Sequence, residues 1–190
     1  MSDTANLLGT GLLYEDRLPL HWQLTEAAVA EGGASHVDEA NAEFLRIMAA
    51  LEEHPPEPTE ERPEIAHEMR RLESKVDLLL SMVSRLLARQ RPLPDAVPLR
   101  LSATGIEWLS SPAPAKDKYV LLDLYLSRDF PLPLLLTGRV AQVTEEGASK
   151  RVTVIFEGLG GTVRDWLDKI VFRQHRRRIA HSRREAAKEA

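Results

Sequence analysis

The 190-residue chain contains no cysteine. That excludes a disulfide framework, a thiolate nucleophile and a Cys-ligated zinc, and it accords with a reducing compartment. The N-terminus, "MSDTANLLGTGLLYEDR", lacks a basic segment, and no apolar run reaches the ~18 residues of a membrane span. A cytoplasmic location is the expectation. The six histidines (His21, His36, His54, His67, His175 and His181) include no pair at i, i+4 and sit in no carboxylate constellation, so no metal site is expected. The Gly-rich stretch "EGLGGT", residues 157–162, lacks the lysine of a P-loop and reads as a strand-to-helix turn. Ser102 has no identifiable base, so no catalytic residue is assigned and the chain reads as non-enzymatic.

What is present is an ordinary soluble composition, 43% hydrophobic and 28% charged, with an uneven charge distribution. Residues 1–68 hold fifteen Asp/Glu against three Lys/Arg, whereas residues 69–190 hold fourteen against twenty-two. Basic density peaks in "FRQHRRRIAHSRR", residues 172–184, which reads as a solvated helical tail. Phe172 is its only aromatic, so a nucleic-acid stacking platform is not the reading.

Prolines divide the chain at "HPPEPTEERP", residues 54–63, and "RPLPDAVP", residues 91–98. Before the first break, Val37, Ala40, Phe44, Ile47 and Leu51 recur at helical steps behind Ser35 as N-cap, giving a helix over roughly 36–53. Between the breaks, Ile65, Met69, Leu72, Val76, Leu79, Val83 and Leu86 follow a strict heptad. Met69, Val76 and Val83 take position a; the other four take d. Leu80 and Leu87 at e and Met82 at g widen the stripe beyond a two-stranded seam. Burying the a and d side chains contributes on the order of 1.5–3 kcal/mol each, against a backbone ordering cost of about 1–2 kcal/mol per residue. Such a helix is marginal alone. The expected partner is the same helix from other copies, in a homotetramer built on Ile65, Met69, Leu72, Val76, Leu79, Leu80, Val83 and Leu86; no membrane span and no nucleic acid is expected among its partners.

After Pro98 the period switches to two. "VPLRLSATGIEWLSS" gives two strands around a tight turn; "KYVLLDLYLSRD", "LPLLLTGRVAQVTEE" and "KRVTVIFEGL" give more, the last two joined by "EEGASK". A small antiparallel β-barrel is the natural architecture. A helix then starts at Thr162, with Asp165 completing a capping-box-like start. Trp108 and Trp166 read as core or subunit-contact residues, and Trp22 as an anchor for the N-terminal segment.

The order "RLSATGIEWLS", "LTGRVAQV", "RVTVIFEGL" and "RDWLDKIVFRQHRRR", over about residues 97–180, resembles the PilZ domain family. The resemblance implies a six-stranded antiparallel β-barrel with a trailing helix, many members of which are receptors for cyclic di-GMP. It also implies two binding signatures, Arg-x-x-x-Arg and Asp/Asn-x-Ser-x-x-Gly. Ser102 and Gly105 match the second, but Arg100 stands at its Asp/Asn position, where a donor-only cation leaves guanine donors unpaired at about 1–3 kcal/mol each. Arg85 and Arg89 have the spacing of the first, yet only a dozen residues separate Arg89 from Ser102. A strand missing there has a candidate source in residues 11–22, where Pro19 suits an edge strand.

The resulting organisation is an N-terminal segment (1–30), a helix (31–54), a Pro-rich linker (55–63), a heptad coiled-coil helix (64–91), a barrel with its C-terminal helix (92–180) and a charged tail (181–190). The functional expectation is a non-enzymatic adaptor that presents several barrels to a protein partner without tight cyclic di-GMP binding and without a cofactor. The alternative is a cyclic di-GMP receptor regulating motility, biofilm or virulence functions.

Overall fold

The structure is a computed structural model and describes residues 7–9, 12–26, 31–52, 63–90, 92–127 and 131–189. The elements run β1 (Tyr14–Thr25), α1 (Glu31–Glu52), α2 (Pro63–Gln90), β2 (Ala96–Leu101), β3 (Gly105–Ser110), β4 (Tyr119–Leu124), β5 (Leu134–Glu146), β6 (Ser149–Phe156) and α3 (Gly161–Glu189). The strands close into an antiparallel barrel in the order β1-β2-β3-β6-β5-β4.

Alternation dictates that closure. In strands of period two, every second side chain faces the same side. Two rows therefore run across the interior, Leu99–Trp108–Val152 and Leu101–Ile106–Val154, all of them buried. On β5 an irregularity between Val140 and Gln142 adds one residue, so that Val140 meets Val154 and Val143 meets Val152.

β1 completes the barrel. Its first half, Tyr14–Pro19, pairs with β2 and its second half, Leu20–Thr25, with β4. The strand is therefore not at an edge. Pro19 is accommodated because it lies where β1 changes partner, and its carbonyl accepts the Tyr125 N–H at 3.1 Å. Further along, the Trp22 indole N–H donates to Ser110 Oγ at 3.1 Å, tying β1 to the end of β3.

α1 starts at Glu31, ahead of the Ser35 expected to cap it. The buried face is Asn41, Ala42, Phe44, Leu45, Met48 and Ala49, while Ile47 is exposed. The apolar spacing through Val37, Ala40 and Ile47 therefore misplaces this face. The helix turns instead to bury Asn41, whose amide acts as a substitute strand: Nδ2 donates to the Leu135 carbonyl at 2.7 Å and Oδ1 accepts the Leu135 N–H at 3.1 Å. Leu45 and Met48 share the core with Val163, Leu167, Ile170 and Val171 of α3.

α3 begins at Gly161, one residue before the expected Thr162, and continues to Glu189, so residues 181–189 extend the helix. Its start is met by Asp38 of α1, whose Oδ2 accepts the Gly160 N–H at 2.6 Å. A carboxylate at a helix N-terminus offsets the positive end of the dipole. α2 is different. Ile65, Met69, Leu72, Val76, Leu79, Val83 and Leu86 are all exposed, Leu79 by 62%. No described helix is long and apolar enough to cross a membrane.

Candidate functional site

The β2–β3 hairpin carries Arg100, Ser102 and Gly105, and it is closed by its own groups. The Ser102 N–H donates to the Gly105 carbonyl at 2.9 Å. Ser102 Oγ accepts the N–H groups of Thr104 (3.2 Å) and Gly105 (3.1 Å), and lies 3.1 Å from Thr104 Oγ1. Thr104 Oγ1 in turn lies within hydrogen-bond distance, 3.0 Å, of the Leu8 carbonyl. The Ser102 side chain, 3% exposed, is thus committed to the turn, and the buried Leu8 seals it. Gly105 is required by close approach: a Cβ there would stand 2.5 Å from the Val154 carbonyl oxygen and 2.9 Å from Leu8 Cδ2.

Arg100 lies on the outer face of β2. Strand register sets it opposite Glu15 on one side and Glu107 on the other. Its Nε is 3.0 Å from Glu15 Oε1, and its Nη1 is 3.5 Å from Glu107 Oε1. Glu107 also faces outward, yet it is 1% exposed. Its Oε1 accepts from Arg151 Nη1 at 2.6 Å, and Thr153 Oγ1 is 3.5 Å from its Oε2. Arg151 then forks onto Glu146 through Nε (2.5 Å) and Nη2 (2.7 Å). One alternating ladder, Glu15–Arg100–Glu107–Arg151–Glu146, therefore crosses β1, β2, β3, β6 and β5.

The ladder shifts two of its members, Arg151 and Glu146, toward their charged forms. Hydrogen bonds donated to Glu146 and Glu107 push the Arg151 guanidinium further above its ordinary value. The hydrogen bond from Arg151 holds the Glu146 carboxyl below the usual carboxylate range. A second cluster lies across β4–β5–β6, where Arg139 meets Glu157 at 3.1 Å and Asp117 at 3.2 Å. The hydrogen bond to Glu157 raises the Arg139 value.

Beside the ladder is an open depression of about 240 Å³, lined in part by Glu15, Asp16, Pro98, Arg100, Glu107 and Arg151. Its charged lining is three carboxylates against two guanidinium groups, and both arginines already have carboxylate partners. Arg89 is exposed near the end of α2, and the Arg85 side chain lies outside the described residues. The ladder was not evident in the sequence beyond Arg100. The Arg100–Glu107 pair follows from the hairpin register once the turn is placed at Ser102–Gly105, whereas Arg151 is brought in only by the β3–β6 pairing.

Comparison with known proteins gives the family. A family model described as "Atypical PilZ domain, cyclic di-GMP receptor" matches residues 45–184. Among solved structures, a pathogenic protein of Xanthomonas campestris superposes with a TM-score of 0.73 at 27% identity, over 95% of this chain and 99% of that one. It is described as a tetrameric PilZ domain self-assembled through an unusual helical bundle. An inhibitor of motility from Bacillus subtilis aligns over 42% of this chain and 41% of its own, at 12% identity and a TM-score of 0.37. No curated protein matches. With its closed six-stranded barrel, its trailing helix and a family match over most of its length, the chain belongs to the atypical PilZ domains.

Proposed function

We propose that this protein is a non-enzymatic oligomeric adaptor in which α2 joins several copies and displays their barrels together to a protein partner. The observation that carries this reading is the exposed heptad stripe of α2. Seven large apolar side chains in register, all open to water, form the kind of patch that marks an interaction surface. The tetrameric helical bundle described for the Xanthomonas campestris relative supports the same reading. Joining copies this way multiplies weak barrel contacts through avidity.

The ladder supports the second half of the proposal, that cyclic di-GMP is not bound tightly. A dianionic dinucleotide would meet Glu15, Asp16 and Glu107 at the depression, and it would have to displace carboxylates already bonded to Arg100 and Arg151. Ser102 has no spare hydrogen-bonding capacity to offer. The competing reading, a cyclic di-GMP receptor, draws on the family description and on the two guanidinium groups at the depression.

Light scattering of the purified protein and calorimetric titration with cyclic di-GMP test both halves. A tetramer mass with no binding heat at micromolar dinucleotide is the expected result. A monomer at micromolar protein overturns the adaptor reading, and a micromolar or tighter dissociation constant establishes the receptor.

A further inference from the structure

The cations of this chain are held in two ways. On the barrel, Arg100, Arg139, Lys150 and Arg151 each meet a carboxylate. On α3, two cations meet aromatic rings instead: the Lys169 ammonium lies 4.6 Å from the centre of the Trp166 ring, and the Arg176 guanidinium 5.8 Å from that of Phe172. Among the described residues neither is in an ion pair. Asp165 stands one turn before Lys169, in the order that favours a pair on a helix, and no such pair forms.

Helix geometry puts these groups on one side. Val163, Leu167, Ile170 and Val171 of α3 are buried with Leu45 and Met48 of α1. At 3.6 residues per turn, Lys169, Phe172 and Arg176 fall on the opposite side, at steps of three and four, with Trp166 at its margin. Lys169 and Arg176 are exposed and Trp166 is half-buried. Phe172 is 52% exposed, the exception among the described residues of a helix that turns its other large apolar side chains inward.

Resting on the adaptor reading above, we infer that this outward strip of α3 is where the barrel takes its protein partner, and that the partner presents an acidic helix. Lys169 and Arg176 are seven residues apart, a rise of about 10.5 Å, with Phe172 between them. Glu or Asp at i and i+7 of a partner helix, with Leu at i+3 or i+4, repeats that spacing. The apolar side chain covers Phe172, and each carboxylate meets a cation with no ion pair to give up among the described residues. Residues 172–184 hold six Arg and no Asp or Glu, which steers an acidic partner toward this end of α3. A nucleic acid fits less well. Each ring already carries a cation, and Asp165 and Asp168, exposed on the same side, repel a continuous phosphate backbone while leaving room for separate carboxylates.

The probe is an Ala/Gln-rich helical peptide with two Glu seven positions apart and Leu at the third and fourth positions after the first. It is tethered to a biosensor and exposed to the full-length protein. Saturable binding is expected, weakened about tenfold or more, the loss typical of a central interface residue, in Phe172→Ala and in Lys169→Gln/Arg176→Gln. These positions are exposed, and thermal melting checks that each variant stays folded. Arg183→Gln/Arg184→Gln, which removes as much charge farther along α3, is expected to weaken binding much less. Equal losses in the two double variants reduce the effect to bulk charge and overturn the strip, as does undiminished binding once the peptide's Leu residues are replaced by Gln. No binding overturns it as well. A duplex oligonucleotide bound more tightly than the peptide, and released by the same substitutions, assigns the strip to nucleic acid instead. A negative result from a protein of tetramer mass leaves the adaptor assembly standing, whereas a monomeric mass overturns that reading whatever the peptide does.

Discussion

The Glu107 carboxylate and the Arg151 guanidinium approach to 2.6 Å across β3 and β6, with the acid 1% exposed and the base 28% exposed. A carboxylate in that setting is tolerable only while its partner is present. Replacing Arg151 with Met leaves Glu107 with only the 3.5 Å contacts to Arg100 and to the Thr153 hydroxyl. The expected cost in urea unfolding is about 2–3 kcal/mol, reduced from a fully buried pair by the partial exposure of Arg151. Glu107→Gln, which keeps the shape and leaves Arg151 on Glu146, is expected to cost less. Equal losses in the two variants would refute the asymmetry.

Asn41 offers a second test. Its amide satisfies both backbone groups of Leu135 from inside the α1 interface. Asn41→Ala strands one part-buried donor and one acceptor of Leu135, for an expected loss of about 2 kcal/mol. Asn41→Asp is expected to be no better, because a carboxylate cannot donate to the Leu135 carbonyl. A denaturation midpoint unchanged from the parent in either variant would contradict this role.

Gly105→Ala is expected to destabilise by about 1–3 kcal/mol through overpacking. Adding Leu8→Ala is not expected to relieve the strain, since the nearer obstacle is the Val154 carbonyl at 2.5 Å and backbone cannot move aside as a side chain can. Thermal melting of the single and double variants separates the two obstacles.

Glu146 predicts a pH dependence. Its hydrogen bond from Arg151 lowers its folded-state value below the ordinary 4.5. A lowered value means the folded state binds the proton less readily than the unfolded state. The contribution is therefore complete above about pH 4.5 and is lost as pH falls through the lowered folded value. Glu146→Gln removes it. The stabilities of parent and variant, measured by denaturant titration, should differ at neutral pH and converge in acid.

Val76→Glu combined with Leu79→Glu places two charges in the middle of the stripe on every copy. The expected product is a monomer whose barrel unfolds as before but whose helical circular dichroism falls, because α2 without partners is marginal. An unaltered particle mass would remove the stripe from the assembly.

The barrel was legible in the sequence because alternation of Leu, Val and Ile over β2 to β6 leaves few other ways to bury one face. α2 was legible for the same kind of reason, a heptad unbroken from Ile65 to Leu86. The face of α1 was not: helical spacing of apolar residues selected Ile47, which is exposed, because no periodicity rule anticipates a buried asparagine that borrows hydrogen bonds from Leu135. Within the candidate site, the turn at Ser102 and Gly105 was readable from composition. The ladder was not, since Glu15, Glu107, Glu146 and Arg151 lie up to 136 positions apart in the chain and only the closed strand order makes them neighbours.

β1 and β2 are hydrogen-bonded neighbours, yet the chain leaves one at Thr25 and returns to the other only at Ala96. The two intervening helices thus occupy the place of an ordinary hairpin loop. Of the two, α1 is tied into the core, but α2, exposed along its heptad stripe, can grow or shrink by whole heptads without shifting the register of any strand. The self-association proposed for α2 is therefore separable from the surface that the strand register sets on the barrel.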